Sequence, residues 1–268
     1  MANSINTNAG ALVALQNLNN TSRDLSITQN RVNTGMKVSS AKDNGAIFAI
    51  ATNQRAEMGA LDAVKQSMQR GQSIVDVALA AGETITKALE EQKSLAVAIE
   101  SSVAGSAAET AYLADFNALG NEITKALGGA TFDGVNLYSA AAADVEVKTG
   151  TGATDKFVLK ATGAATAVAT AGGAIVRAGA TATAVDTALK AFTAELGALG
   201  TKSKSLERSL TFTSKIQDSL EVGIGNLVDA DLAKESAKLT ALQTKQQLGV
   251  QALGIANQSS SILLGLFR

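Results

Sequence analysis

LDAVKQSMQRGQSIVDVALAAGETITKALEEQKSLAVAI, residues Leu61–Ile99, steps through its apolar positions in alternating threes and fours. Leu61, Val64, Met68, Val75, Ala78, Ile85, Leu89, Ala96 and Ile99 share one frame, with Gly71, Gly82 and Gln92 in the skipped places. Such spacing keeps one stripe of an α-helix against a partner over several heptads. A glycine in the stripe costs up to about 1 kcal/mol of helix propensity but lets a neighbouring backbone come close. The chain has no proline to interrupt the pattern, so one long helix is predicted over Asn44–Ser101.

Upstream, Ala11, Leu15, Leu18, Leu25 and Val32 share a thinner frame, interrupted by Ser22 and Gln29. Thr34-Gly35 reads as a helix stop and Ser39–Gly45 as a loop. At the far end Leu232, Leu239, Leu242, Leu253, Ala256, Leu263 and Phe267 share another frame, broken by Glu235, Gln246 and Ser260. A helix with so narrow an apolar face is marginal alone and needs a partner. The two ends are therefore expected to pair.

The middle differs. Tyr112, Phe116, Leu119, Ile123 and Ala126 suit a shorter helix stopping at Gly128-Gly129. Phe132–Leu137 combines turn chemistry with an extended run. Asp144–Lys148 alternates at the strand period and can pair with Lys156–Lys160 across Gly150–Asp155 as a hairpin. Ala161–Ala184 is almost wholly Ala, Gly and Thr, compatible with a loop or a poor helix; a long helix resumes from about Val185 to Leu227. The fold class is mainly α: long paired N- and C-terminal helices forming a rod-like bundle, with a small central β-hairpin region.

Composition narrows the chemistry. The 268 residues include no Cys and no His, which removes thiolate chemistry and the usual general base and metal ligand. A formal net charge of −1 leaves no basic footprint for nucleic acid. No apolar run reaches the length of a membrane span, and Met1–Asn8 lacks the basic and apolar regions of a cleaved signal. Ser39-Ser40-Ala41-Lys42 fits S-x-x-K and Lys148-Thr149-Gly150 fits K-T-G, but the S-D-N element and the strands of that serine-enzyme sheet are missing. Gly197–Ser203 lacks phosphate-loop spacing, and Asp229-Ala230-Asp231 lacks the later ligands of a calcium loop; a carboxylate ahead of Leu232 suits a helix start instead. No catalytic, cofactor or metal residues are assigned.

The two ends resemble bacterial flagellins. Ile5-Asn6-Thr7-Asn8, Arg31 ahead of Gly35, and Ser39–Asn44 with Lys42 and Asp43 are similar to the N-terminal signature of that family. Phe132–Leu137 looks like its turn-and-strand segment. Asp229–Ala233 with Glu235, then Ala256-Asn257-Gln258, Leu263-Leu264 and Arg268, resemble the C-terminal signature. The likeness covers about Met1–Leu137 and Leu206–Arg268.

The resemblance implies an inner helical assembly domain formed by residues 1–43 and 228–268. An outer helical domain, 44–227, would carry the hairpin around 131–160. Residues 139–184 are too few for outer variable domains, which implies a minimal family member. It further implies a secreted, non-enzymatic subunit of an extracellular filament that acts as a swimming propeller. Its terminal segments would order on assembly. Partners would be further copies, possible sibling flagellins, the flagellar type III export apparatus, an export chaperone, and hook-associated and cap proteins; neither nucleic acid nor membrane is implied. The expected assembly interface comprises Ile5, Leu12, Leu15, Leu18, Leu25, Val32, Leu239, Leu242, Leu253, Leu263, Leu264 and Arg268. Alternatives are a hook-associated or junction protein of the same architecture and a cytoplasmic coiled-coil scaffold. One departure stands out. Where many flagellins carry an Arg-Glu-Leu-Ala-Val-like patch read by an animal innate-immune receptor, this chain has Lys93-Ser94-Leu95-Ala96-Val97, which predicts weak recognition.

Overall fold

A computed structural model describes residues 8–139, 144–160 and 175–265, with side chains as far as Gln258. In chain order the elements are α1 (Ala9–Thr34), α2 (Gly45–Ser101), α3 (Ala107–Gly129), β1 (Val145–Lys148), β2 (Lys156–Leu159), α4 (Ala182–Val228) and α5 (Leu232–Gly265). The chain divides into two compact units, Met1–Ala56 with Ser219–Arg268, and Glu57–Asp218.

The second unit is built on α2. Every position of the three-four frame from Leu61 to Ile99 is buried, the glycines and Gln92 included. What approaches the glycines is side chain rather than backbone, contrary to expectation. A side chain at Gly71 would run into Val147 of β1, and one at Gly82 into Leu196 of α4 and the Tyr138 hydroxyl. Each missing Cβ is thus a socket for another element's side chain. Gln92 donates through Nε2 to the Phe116 carbonyl at 2.9 Å, fastening α3 to α2. Phe116 and Ile123 of α3 are buried as the stripe predicts, but Tyr112 is exposed, because the inward face of the first turns runs through Glu109 and Leu113 instead.

The hairpin forms with Val145 opposite Leu159 and Lys148 opposite Lys156. Val145 and Val147 face the core while Glu146 and Lys148 face out. Lys148 N–H donates to Ser67 Oγ at 3.0 Å, which seats the strand on α2 beside Gly71. Phe132 and Val135 exchange backbone hydrogen bonds around Asp133 and Gly134, both at positive φ. The expected extended run after this turn is absent. Asn136 accepts from Tyr138 N–H and donates to the Leu127 carbonyl, bending the chain so that Leu137 and Tyr138 enter the core. Tyr138 stacks at a tilt on Phe192, ring centroids 5.4 Å apart.

Residues 161–174 lie outside the described residues. Just beyond them Arg177 donates to the Glu100 and Ser102 carbonyls and pairs with Glu109 at 3.2 Å. The end of α2 is thereby held to the start of α3, where Ser106 caps the helix.

In the first unit α1 stops at Gly35, which adopts the left-handed conformation (φ 71). Val38, Ala51, Ile224 and Val228 form a small core, flanked by Met36, Ile47, Phe48 and Leu227.

Candidate assembly face

Three contacts fix how α1 and α5 lie together. Asn8 Nδ2 donates to the Ala256 carbonyl at 2.7 Å, Leu18 abuts Gly249, and Arg31 pairs with Glu235 at 3.1 Å. As the number rises in α1 it falls in α5, so the helices are antiparallel. Asn8 also caps α1 through Oδ1, and Asp231 caps α5 by accepting from Ala233 and Lys234 N–H. The acidic turn is therefore a helix start.

Along α1 the inward positions are Ala11, Ala14, Leu18, Thr21, Leu25, Thr28 and Val32. This corrects the expected frame at every second place, since Leu15, Ser22 and Gln29 are exposed. Two threonines sit buried in this seam: the Thr21 hydroxyl donates to the Asn17 carbonyl at 2.9 Å, while that of Thr28 has no hydrogen-bond partner among the described residues. On α5 the expected frame stands from Glu235 through Leu239, Leu242, Gln246 and Leu253 to Ala256, with Gly249 completing it. Leu232, placed in that frame from the sequence, is instead exposed beside the helix start.

The residues expected to join subunits thus fall into three sets. Leu18, Leu25, Val32, Leu239, Leu242 and Leu253 line the seam within the chain. Leu12 and Leu15 project from it, 61% and 43% exposed. Ile5, Arg268 and the side chains of Leu263 and Leu264 lie outside the described residues. Sequence reasoning missed Val13, Leu248 and Ile255, all more than half exposed; they fall between the frame positions, and only the paired helices reveal that they remain uncovered. Val13 and Leu248 border a groove of about 600 Å³ whose floor includes Gly10, Ala14, Leu18 and Gly249. Small residues on both helices open this groove.

The signature loop clasps the two ends of the chain. The Gly35 carbonyl accepts from Ala230 N–H at 2.9 Å, and the Val228 carbonyl accepts from Lys37 and Val38. Met36 and Asp229 form an antiparallel bridge. Asp43 accepts from the backbone N–H and hydroxyl of both Ser39 and Ser40. These bonds, those from the Ser40 and Ser39 backbone foremost, hold its carboxyl below the usual value. Asn44 caps α2 by accepting from Ile47 N–H at 3.1 Å. Lys42 is exposed and has no ion pair among the described residues. The S-x-x-K serines are therefore spent on loop geometry.

Two family models match the chain: the bacterial flagellin N-terminal helical region over residues 5–143 and the C-terminal helical region over 182–267. The chain belongs to the bacterial flagellin family. Flagellin FljM of Caulobacter vibrioides is 51% identical over 99% of both chains. A flagellin of Brucella melitensis is 37% identical, again over 99% of both. The crystal structure of Bacillus cereus flagellin shares the fold at 21% identity and a TM-score of 0.50, covering 55% of this chain and 88% of that one. The family is structural rather than enzymatic, and among the described residues no group of three or more His, Cys, Asp or Glu is placed to hold a metal. In the Lys93–Val97 stretch, Lys93 Nζ lies 2.5 Å from Asp186, Ala96 is buried and Val97 exposed. Lys190 and Lys93 together lower the Asp186 carboxyl to about 2.

Proposed function

We infer that this flagellin is a filament subunit joined to further copies through the exposed apolar face of its α1–α5 pair. The observation that carries the reading is that Leu12, Leu15, Val13, Leu248 and Ile255 of the α1–α5 pair are left exposed, Val13 and Leu248 beside a groove that Gly10, Ala14 and Gly249 also line. Covering such a face contributes about 25 cal/mol per Å² of apolar surface. Ordering the chain opposes it by roughly 1–2 kcal/mol per residue. Assembly is then favourable only where many residues are buried together, which confines growth to a pre-existing end. A contact between two different surfaces that does not close builds an open helical polymer.

The domain division at residues 43/44 and 227/228 belongs to this reading, with the α1–α5 pair as its inner layer. So does the wider setting that the family resemblance supports. The chain would leave the cell through the flagellar export apparatus with a chaperone, meet hook-associated and cap proteins, and work outside the cell as part of a swimming propeller. Ile5, Leu263, Leu264 and Arg268 are assigned to the same subunit contact as Leu12 and Leu15.

Electron microscopy of purified chain added to short filament seeds tests this, beside a copy lacking residues 259–268. Long filaments from the full chain and none from the shortened one are expected. A full chain that stays monomeric or forms only rings would favour a junction protein or scaffold instead.

A further inference from the structure

We propose that Met36 is a site of oxidation by peroxide, and that the Arg55 guanidinium holds the oxygen its sulfur gains. The starting observation is an ill-matched contact: Arg55 Nη2 lies 3.9 Å from Met36 Sδ. A guanidinium carries five N–H donors suited to oxygen acceptors, whereas a thioether sulfur accepts only weakly. Arg55 is exposed and has no ion pair among the described residues, so this sulfur is what its side chain is turned toward.

Met36 sits where such chemistry has a consequence. Half-buried directly after Gly35, it packs against the small core of Val38, Ala51, Ile224 and Val228 and bridges Asp229 through its backbone. The other methionines are placed differently. Met68 is fully buried in the α2 stripe, Met58 is half-buried, and Met1 lies outside the described residues. Neither the Met58 nor the Met68 sulfur accepts a hydrogen bond from a described residue.

The step balances with hydrogen peroxide as oxidant. A sulfur lone pair attacks one peroxide oxygen, the S–O bond forms and the O–O bond breaks. The departing hydroxide takes the proton from the transferred oxygen and leaves as water. Sulfur is oxidised by two electrons to the sulfoxide, and peroxide is reduced. With nitrogen and sulfur 3.9 Å apart, an oxygen on the Arg55 side stands within ordinary hydrogen-bond distance of Nη2. A weak contact thereby becomes a charge-assisted hydrogen bond. Methionine oxidation usually damages a fold by putting a polar oxygen among apolar groups with no partner. Here the partner is already in place, so the oxidised side chain stays at the clasp and ties it to α2.

Peroxide treatment of purified chain carrying Met58→Leu, followed by peptide mapping, tests the site. Met36 should convert about tenfold faster than buried Met68 or more, and equal rates overturn the proposal. Heat unfolding then compares reduced and oxidised forms of that chain and of its Arg55→Gln derivative. Oxidation should lower the midpoint of the Arg55→Gln chain by about 2–4 °C more than that of the chain with Arg55. The same shift in both would mean that Arg55 does not hold the oxygen. With Met36→Leu added, peroxide should leave both midpoints where they were; a fall that persists assigns the effect to another residue and overturns the proposal as well.

Discussion

Leu18 fills the space that a side chain at position 249 would occupy, its Cδ1 lying 3.2 Å from where that Cβ would stand. The contact joins residues more than two hundred positions apart and helps set the register of α1 against α5. In an otherwise sparse seam, one large residue seated on one absent side chain distinguishes this alignment from its neighbours. Gly249→Val should therefore force Leu18 aside and destabilise the pair by about 1–3 kcal/mol. The critical concentration for seeded assembly should rise by roughly five- to a hundredfold. Adding Leu18→Ala should recover part of the loss, and an unchanged critical concentration for Gly249→Val alone would remove the register role.

Arg31 and Glu235 form the other end of that register. Glu235 is the more buried partner, its side chain 13% exposed against 31% for Arg31. Removing the arginine leaves a partly desolvated carboxylate, whereas removing both leaves nothing charged to desolvate. Arg31→Gln should cost about 1 kcal/mol, and adding Glu235→Gln should cost no more. Urea unfolding of the assembled form, taken round the double-mutant cycle, reads the coupling; strictly additive losses would mean that the pair is incidental.

Asp43 links the signature loop to pH. Hydrogen bonds from Ser40 and Ser39 favour its charged form and lower its carboxyl in the folded loop. The stability they lend is present above the ordinary value of 3.8 and disappears as pH falls through the lower folded value. Wild type should be more heat-stable than Asp43→Asn at neutral pH, and the two should converge in strong acid. Parallel melting curves across that range would show that the loop bonds carry no charge-dependent stability.

Gly82 and Gly197 separate two effects of the same substitution. An alanine Cβ at Gly82 would meet Leu196 and the Tyr138 hydroxyl, while one at Gly197 meets nothing within 4 Å. Gly82→Ala should destabilise the fold by about 1–3 kcal/mol through overpacking. Gly197→Ala should stabilise it by up to about 1 kcal/mol through helix propensity alone. Thermal unfolding in the monomer should move in opposite directions for the two.

The same pair of glycines shows what the sequence made readable. The α2 frame emerged whole because apolar residues fill nine of its twelve places from Leu61 to Ile99, although Ile74, Val77, Leu79, Leu95 and Val97 lie off it. In α1 two phases compete. Leu12, Leu15 and Leu18 look equally apolar, and nothing marks Thr21 and Thr28 as seam residues until α5 lies against them. Arg177 was invisible because its partners are backbone carbonyls at the end of α2 and a glutamate in α3. The groove beside Val13 and Leu248 was out of reach as well, since it exists only between two helices. Periodicity finds the stripe that a helix buries; it does not find what two buried stripes leave open.

Leu12 and Ile255 test that open surface. They are 61% and 69% exposed and contribute little to holding the free chain together. A change to glutamine at either therefore removes apolar area that is buried only when copies meet. Each full burial contributes about 1.5–3 kcal/mol, so Leu12→Gln with Ile255→Gln should raise the critical concentration a hundredfold or more on that scale. Thermal unfolding of the monomer should move by less than about 0.5 kcal/mol, as for surface changes generally. Seeds that elongate normally with this double variant would show that the exposed face is solvent-facing in the filament and that the copies meet elsewhere.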